Sequence, residues 1–233
     1  INVTSAYGII NVAGPFASKV LNRLVDIDFS EEAFAMGISK DAVIHGIPVR
    51  IVRSGFVSKQ SYEITVPTNE ALAIWELLLE TGRPEGIRPF GTETQRLLRL
   101  ERGHPLPGHD TDGLTNPYEL GVEAAIVMDK PFFVGQRSLK IIHKKPVNKR
   151  LVPFVLEPNY QGQMPQDCNL VIDAGKITGR VTSISYSPTV GRVIGLAYVA
   201  PHQSSEGDIF DIRTDSGRMT RATVVKAPFF QGK

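Results

Sequence analysis

The last third of the chain holds six β-prone runs, at residues 152–156, 169–172, 176–186, 193–199, 209–213 and 219–225, separated by Gly, Pro and Ser. No other feature constrains the fold as much. Several short strands with turn residues between them read as a small antiparallel sheet or barrel. Ala174-Gly175 and Asp215-Ser216-Gly217 carry the chemistry of tight turns. The polar, basic segment 143–150, with Pro146, is the best candidate linker ahead of this module.

Upstream the punctuation is different. Residues 6–13 are mostly apolar and rich in Ile, which predicts a strand, and Gly14-Pro15 then opens a helix with Val20, Leu21 and Leu24 on its buried face. Residues 42–44 and 47–52 read as paired strands around His45-Gly46. The next strand, 61–66, alternates: Tyr62, Ile64 and Val66 on one face, Ser61, Glu63 and Thr65 on the other. Thr68 is placed to cap a helix with an apolar stripe of Leu72, Trp75, Leu78 and Leu79, ended by Gly82. Thr92 and Gln95 have capping-box spacing for a further helix running to about Arg102. Pro105, Pro107, Gly108 and Gly113 suppress regular structure until about Leu120, and residues 122–127 read as a strand. The sum is an α+β chain: an α+β domain over 1–144, then a small antiparallel β-barrel over 151–233.

Bulk properties exclude several classes. A formal net charge of +2 does not argue for nucleic acid or a membrane surface. Cys168 is the only cysteine, so there is no intrachain disulfide and no multi-cysteine metal motif. No apolar run approaches the ~18 residues of a membrane helix, and no signal pattern opens the chain, so a cytoplasmic protein is expected. Gly-x-Gly-x-x-Gly is absent.

Among individual side chains, Glu63 stands out, because alternation sends it to the face opposite Tyr62 and Ile64. An ionised carboxylate only accepts, and its two oxygens match two adjacent N–H donors; the plainer alternative is a solvent-facing Glu on a half-buried strand. Asp110 and Asp112 invite an acid/base reading, but aspartates in a Gly-Asp-Thr-Asp-Gly turn usually bind nearby backbone N–H groups. His104 and His109 lack the spacing of convergent metal ligands. Arg96, Arg99 and Arg102 share a helix face that suits a carboxylate ligand or, more plainly, pairing with Glu93 or Glu101.

The segment 91–121 carries a motif. Leu98-Arg99-Leu100-Glu101-Arg102-Gly103 leads into Gly108, Asp110, Asp112 and Asn116-Pro117-Tyr118-Glu119, followed by Lys130-Pro131-Phe132-Phe133-Val134-Gly135. Ser61-Tyr62-Glu63-Ile64-Thr65-Val66-Pro67 lies upstream, and Gly179-Arg180-Val181-Thr182-Ser183 and Ser187-Pro188-Thr189-Val190-Gly191-Arg192 downstream. In order and spacing these segments resemble the aminomethyltransferase (glycine-cleavage T-protein) family and the C-terminal folate domain of the sarcosine oxidase α subunit. The α-subunit end is closer through Gly91-Thr92-Glu93 and Thr111-Asp112-Gly113.

The resemblance implies the C-terminal part of a folate-binding T-protein-like domain followed by a barrel. It implies tetrahydrofolate as cofactor and aminomethyl transfer from a small amine substrate, with Glu63, Tyr62 and Arg96 as cofactor-binding residues and Glu63 receiving the pterin. Family members carry a further segment ahead of the point where Ile1 aligns, with the catalytic Asp in it. An N-terminal fragment or a partner subunit is therefore expected, and neither nucleic acid nor membrane. Three family positions differ: Gln95 stands in place of an Arg, Ala124 in place of a Trp, and Phe230 near a Tyr. The alternatives are the folate-binding portion of a multi-subunit sarcosine oxidase-like amine oxidase, with flavin elsewhere, or a non-catalytic paralogue.

Overall fold

The computed structural model describes residues 1–229, which form two compact units, Ile1–Leu98 and the residues from Arg99 on. In the first unit, β1 (Tyr7–Ala13), α1 (Ala17–Leu21), β2 (Ser39–Ile44), β3 (Ile47–Arg53), β4 (Ser61–Pro67) and α2 (Ala71–Gly82) follow one another, and α3 (Thr92–Glu101) spans the division. The four strands make one antiparallel sheet in the order β1-β4-β3-β2, so β1 and β2 are its edges. The predicted alternation of β4 holds for its core face. Tyr62, Ile64 and Val66 are buried with Val12, Leu21, Phe29, Phe34, Ile51 and Ile74, while Glu63 and Thr65 are half-buried.

Two local expectations are corrected here. Thr68 does not cap α2: it begins a 3-10 turn (Thr68–Glu70), and its hydroxyl donates to the Ser5 carbonyl at 2.9 Å. The stripe on α2 splits, because Ile74 and Leu78, one turn apart, face the core, whereas Leu72 is 67% exposed and Trp75 37%. Gly82 ends α2, as expected. A 3-10 turn (Arg83–Glu85) follows, and Gly86 takes the left-handed conformation (φ 73°) that terminates it.

The second unit continues with α4 (Pro117–Leu120), α5 (Gln136–Ile142) and six strands: β5 (Arg150–Leu156), β6 (Leu170–Asp173), β7 (Lys176–Ser187), β8 (Arg192–Val199), β9 (Ile209–Arg213) and β10 (Met219–Val224). They close into an antiparallel barrel in the order β10-β5-β8-β7-β6-β9, as the six runs predict. Closure leaves no free edge and buries one face of each strand. Phe154 and Phe210 meet edge-on at 5.4 Å among Val171, Val181, Ala197 and Ile212. Gly195 is required there, since a Cβ would sit 2.4 Å from the Phe154 ring. Residues 122–127 are not a strand: Glu123–Ala125 form a 3-10 turn. The short α4 exists because Asn116 and Glu119 make a full capping box around Pro117.

The turn aspartates are structural. Asp110 is fully buried and accepts from Arg99 Nη1 (2.5 Å), Ser183 Oγ (2.6 Å) and the Leu106 N–H (2.8 Å). Asp112 accepts from the Leu114 N–H and Thr115 Oγ1. Glu101 is likewise buried and takes a 2.6 Å bond from Ser187 Oγ. Among the described residues no helix is long and apolar enough to cross a membrane.

Burial by itself pushes the Asp110 carboxyl up, but the hydrogen bonds and the Arg99 guanidinium outweigh it and hold it below the usual aspartate range. A carboxyl depressed in the folded state contributes stability that is complete above its unfolded-state pKa and is lost as pH falls through the folded one. Asp110→Asn leaves the buried guanidinium uncompensated, so it should cost about 3–5 kcal/mol, measured by urea unfolding at neutral pH. The deficit should narrow as the parent is titrated into acid; a parallel offset down to the lowest pH would remove Asp110 from this role.

Candidate functional site

A cavity of about 610 Å³ lies within the first unit. Its walls are β1, the Gly14–Phe16 turn, the start of α1, Glu63 of β4, one face of α2, and the chain from Glu85 to Thr92 with Gln95. Five consecutive residues of β1, Ile9 through Ala13, line it. Successive strand residues point to opposite faces, so the cavity wraps the flank of β1. That flank is open because, among the described residues, β1 pairs only with β4.

Glu63 reaches this cavity from the neighbouring strand, where its register partners are Asn11 on β1 and Val52 on β3. Asn11 does not bond it; its side-chain amide donates instead to Ser61 Oγ at 3.1 Å. The Glu63 carboxylate has no hydrogen bond or ion pair with any described residue. It stands half-buried opposite apolar walls that include Trp75, Leu78, Leu79, Ile87 and Phe90.

The second carboxylate on the lining, Glu85, is neutralised. Arg23 bonds one oxygen and Lys19 lies 3.2 Å from the other, and chiefly the Arg23 bond holds the carboxyl below its usual range. The lining therefore presents one free anion, Glu63, and one exposed cation, Arg88, which pairs with no described residue. Such a surface accepts N–H donors at Glu63 and holds flat or apolar matter along Trp75 and Phe90.

The other two predicted site residues lie elsewhere. Tyr62 is 1% exposed, with its ring edge-on to Phe29 at 5.0 Å and tilted against Phe34 at 6.0 Å. The alternation that turns Glu63 to the cavity turns Tyr62 into the core. Arg96 is exposed and pairs with Glu93 at 3.2 Å. Its neighbour Gln95 lines the cavity instead, because adjacent helical residues diverge by about 100°. Ala124 is exposed on the 3-10 turn Glu123–Ala125, and Phe230 falls outside the described residues. Sequence reasoning missed Asn11, Arg88 and the cavity-facing role of Trp75. On a helix, Trp75 reads as core, and only the packing of Ile74 and Leu78 shows which face is left over.

In sequence and in fold the chain is similar to known proteins. The glycine-cleavage T-protein (GCVT) N-terminal domain matches residues 1–130, and the glycine cleavage T-protein C-terminal barrel domain matches residues 149–231. A mitochondrial dimethylglycine dehydrogenase of Rattus norvegicus is 32% identical over 97% of this chain and 26% of its own length. An aminomethyltransferase of Halothermothrix orenii is 30% identical over 98% of this chain and 62% of its own. The chain thus spans about a quarter of the dehydrogenases and less than two thirds of the aminomethyltransferases that it matches. In fold, it is similar to the crystal structure of glycine cleavage system aminomethyltransferase T from Bartonella henselae, with a TM-score of 0.54 and 16% identity over 97% of this chain and 84% of that one.

Because Glu63 has no hydrogen bond or ion pair with a described residue, Glu63→Gln should leave folding nearly untouched, within about 0.5 kcal/mol. Thermal and urea unfolding of both forms without ligand would check this. A loss of more than 1 kcal/mol, on the scale of a net hydrogen bond, would mean that the carboxylate is holding the fold rather than waiting for a ligand.

Proposed function

The chain belongs to the glycine-cleavage T-protein family, and from that premise we propose that its cavity binds a tetrahydrofolate for one-carbon transfer from an aminomethyl donor. The observation that carries the proposal is the unpartnered Glu63 carboxylate in an otherwise largely apolar cavity. A free acceptor is costly to leave without water or a ligand, and a pterin edge offers two adjacent donors, the exocyclic amine and the neighbouring ring N–H. The pair of carboxylate oxygens matches that edge. The cavity volume of about 610 Å³ lies within the range of small-molecule sites, about 300–1,000 Å³.

In this reading Glu63 orients the pterin by its edge, and Trp75 and Phe90 supply flat apolar surface and exclude water beside it. Glu85, already held by Arg23 and Lys19, places no second free carboxylate on the wall. When bound, tetrahydrofolate supplies N5 as the acceptor of the one-carbon unit; the protein supplies position and electrostatics. The donor is a small amine. Residues 1–144 then act as the folate-binding part and 151–233 as the barrel module.

Calorimetric titration with tetrahydrofolate is the test. Glu63→Gln replaces one acceptor with a donor facing an N–H, and should cost about 1.5–3 kcal/mol of binding, the scale of a hydrogen bond to a charged group. Glu63→Asp should weaken binding too, by withdrawing the carboxylate one methylene. Trp75, the only tryptophan in the chain, gives a second readout, since its emission should change on saturation. Absence of binding by the parent, or equal binding by parent and Glu63→Gln, would sink the proposal.

A further inference from the structure

Three charged side chains line the cavity: Glu63, Glu85 and Arg88. Glu85 is held by Lys19 and Arg23, which leaves one anion and one cation free to meet a ligand. A ligand that satisfies both carries N–H donors at one end and an anion at the other. Resting on the folate reading of this cavity, we propose that Arg88 is its specificity-determining residue and pairs with a carboxylate of the ligand's glutamate tail. The cavity then selects a pterin with an anionic tail over a pterin alone.

The backbone around Arg88 supports this role. The Gly86 N–H donates to the Arg83 carbonyl and the Ile87 N–H to the Gly82 carbonyl, both at 3.1 Å. Ile87 packs closely on the end of α2: a Cβ added at Gly82 would lie 2.7 Å from Ile87 Cγ2. Pro89 restricts the other side. Arg88 therefore springs from an anchored stretch, so little backbone freedom is lost when its guanidinium engages a ligand. It is exposed and pairs with no described residue, so the described fold does not consume its charge. Its planar fork suits a carboxylate.

The chemistry recognised is a carboxylate, and an amino-acid-like donor also carries one. The position of Arg88 favours the tail. Being solvent-exposed, it belongs to the cavity's rim, whereas half-buried Glu63 takes the ring, and a tail leaves a bound ring toward solvent.

The experiment titrates the full-length protein, and its Arg88→Gln and Arg88→Lys variants, with tetrahydrofolate, with 6-methyltetrahydropterin, which lacks the tail, and with N-methylglycine. The parent should prefer tetrahydrofolate. Arg88→Gln should weaken tetrahydrofolate about fivefold, the upper end for an exposed ion pair, and leave 6-methyltetrahydropterin unchanged; Arg88→Lys should lose less. The parent's preference should shrink with added salt, and that of Arg88→Gln should not. Equal weakening of both pterins, no weakening of either, or an effect confined to N-methylglycine would overturn the assignment to the tail. If the parent binds neither pterin, the folate reading itself fails and this inference with it. If the parent binds both equally, the folate reading stands and the role of Arg88 falls.

Discussion

The pairing of β4 on both flanks is the constraint from which the candidate site follows. β4 is bonded to β1 on one side and β3 on the other, so its register is held twice. A slip of one residue would exchange its faces: Glu63 would enter the core and Tyr62 the cavity. The aromatic contacts of Tyr62 with Phe29 and Phe34 oppose such a slip. The buried Tyr62 ring is thus the clamp that keeps its neighbour Glu63 facing the cavity.

The open flank of β1 adds the second element. An inner strand has neighbours on both sides, and a cavity can meet it only from one face. An edge strand lets the cavity wrap around it, and β1 exposes Tyr7 and Ile9 along that course. The other walls are built by α2 and the stretch after it. Ile74 and Leu78 anchor the helix to the core, and its next face, with Trp75 and Leu79, is left for the cavity.

In the second unit, polar groups are consumed by structure. Asp110 has the residue type and turn context of a candidate acid, yet Arg99, Ser183 and a backbone N–H occupy its oxygens. The Tyr198 hydroxyl donates to its carbonyl at 3.0 Å. Buried charge of this kind is costly unless paired, and here both Arg99 Nη atoms are bonded while Nε has no partner among the described residues. Glu101 is bonded by Ser187 in the same manner. The motif shared with the family is therefore, in this unit, a set of buried bonds between a helix end, a turn and a barrel strand.

The sequence by itself determined the β runs of the barrel, the strand pair around His45-Gly46 and the two faces of β4. Strand periodicity and turn chemistry are local, and residues a few positions apart carry them. It also carried the motif order that identifies the family. It did not determine which face of α2 is core, that residues 122–127 turn rather than extend, or that Thr68 bonds Ser5 instead of capping a helix. Each of those depends on what packs against the segment. Nor did it show that Glu85 shares a wall with Glu63 and is neutralised there. Both are carboxylates on the same wall, and only the folded chain brings Arg23 across 62 positions to neutralise one and leave the other free. Charge pairing acts through space, so tertiary structure alone decided which charges remain for a ligand.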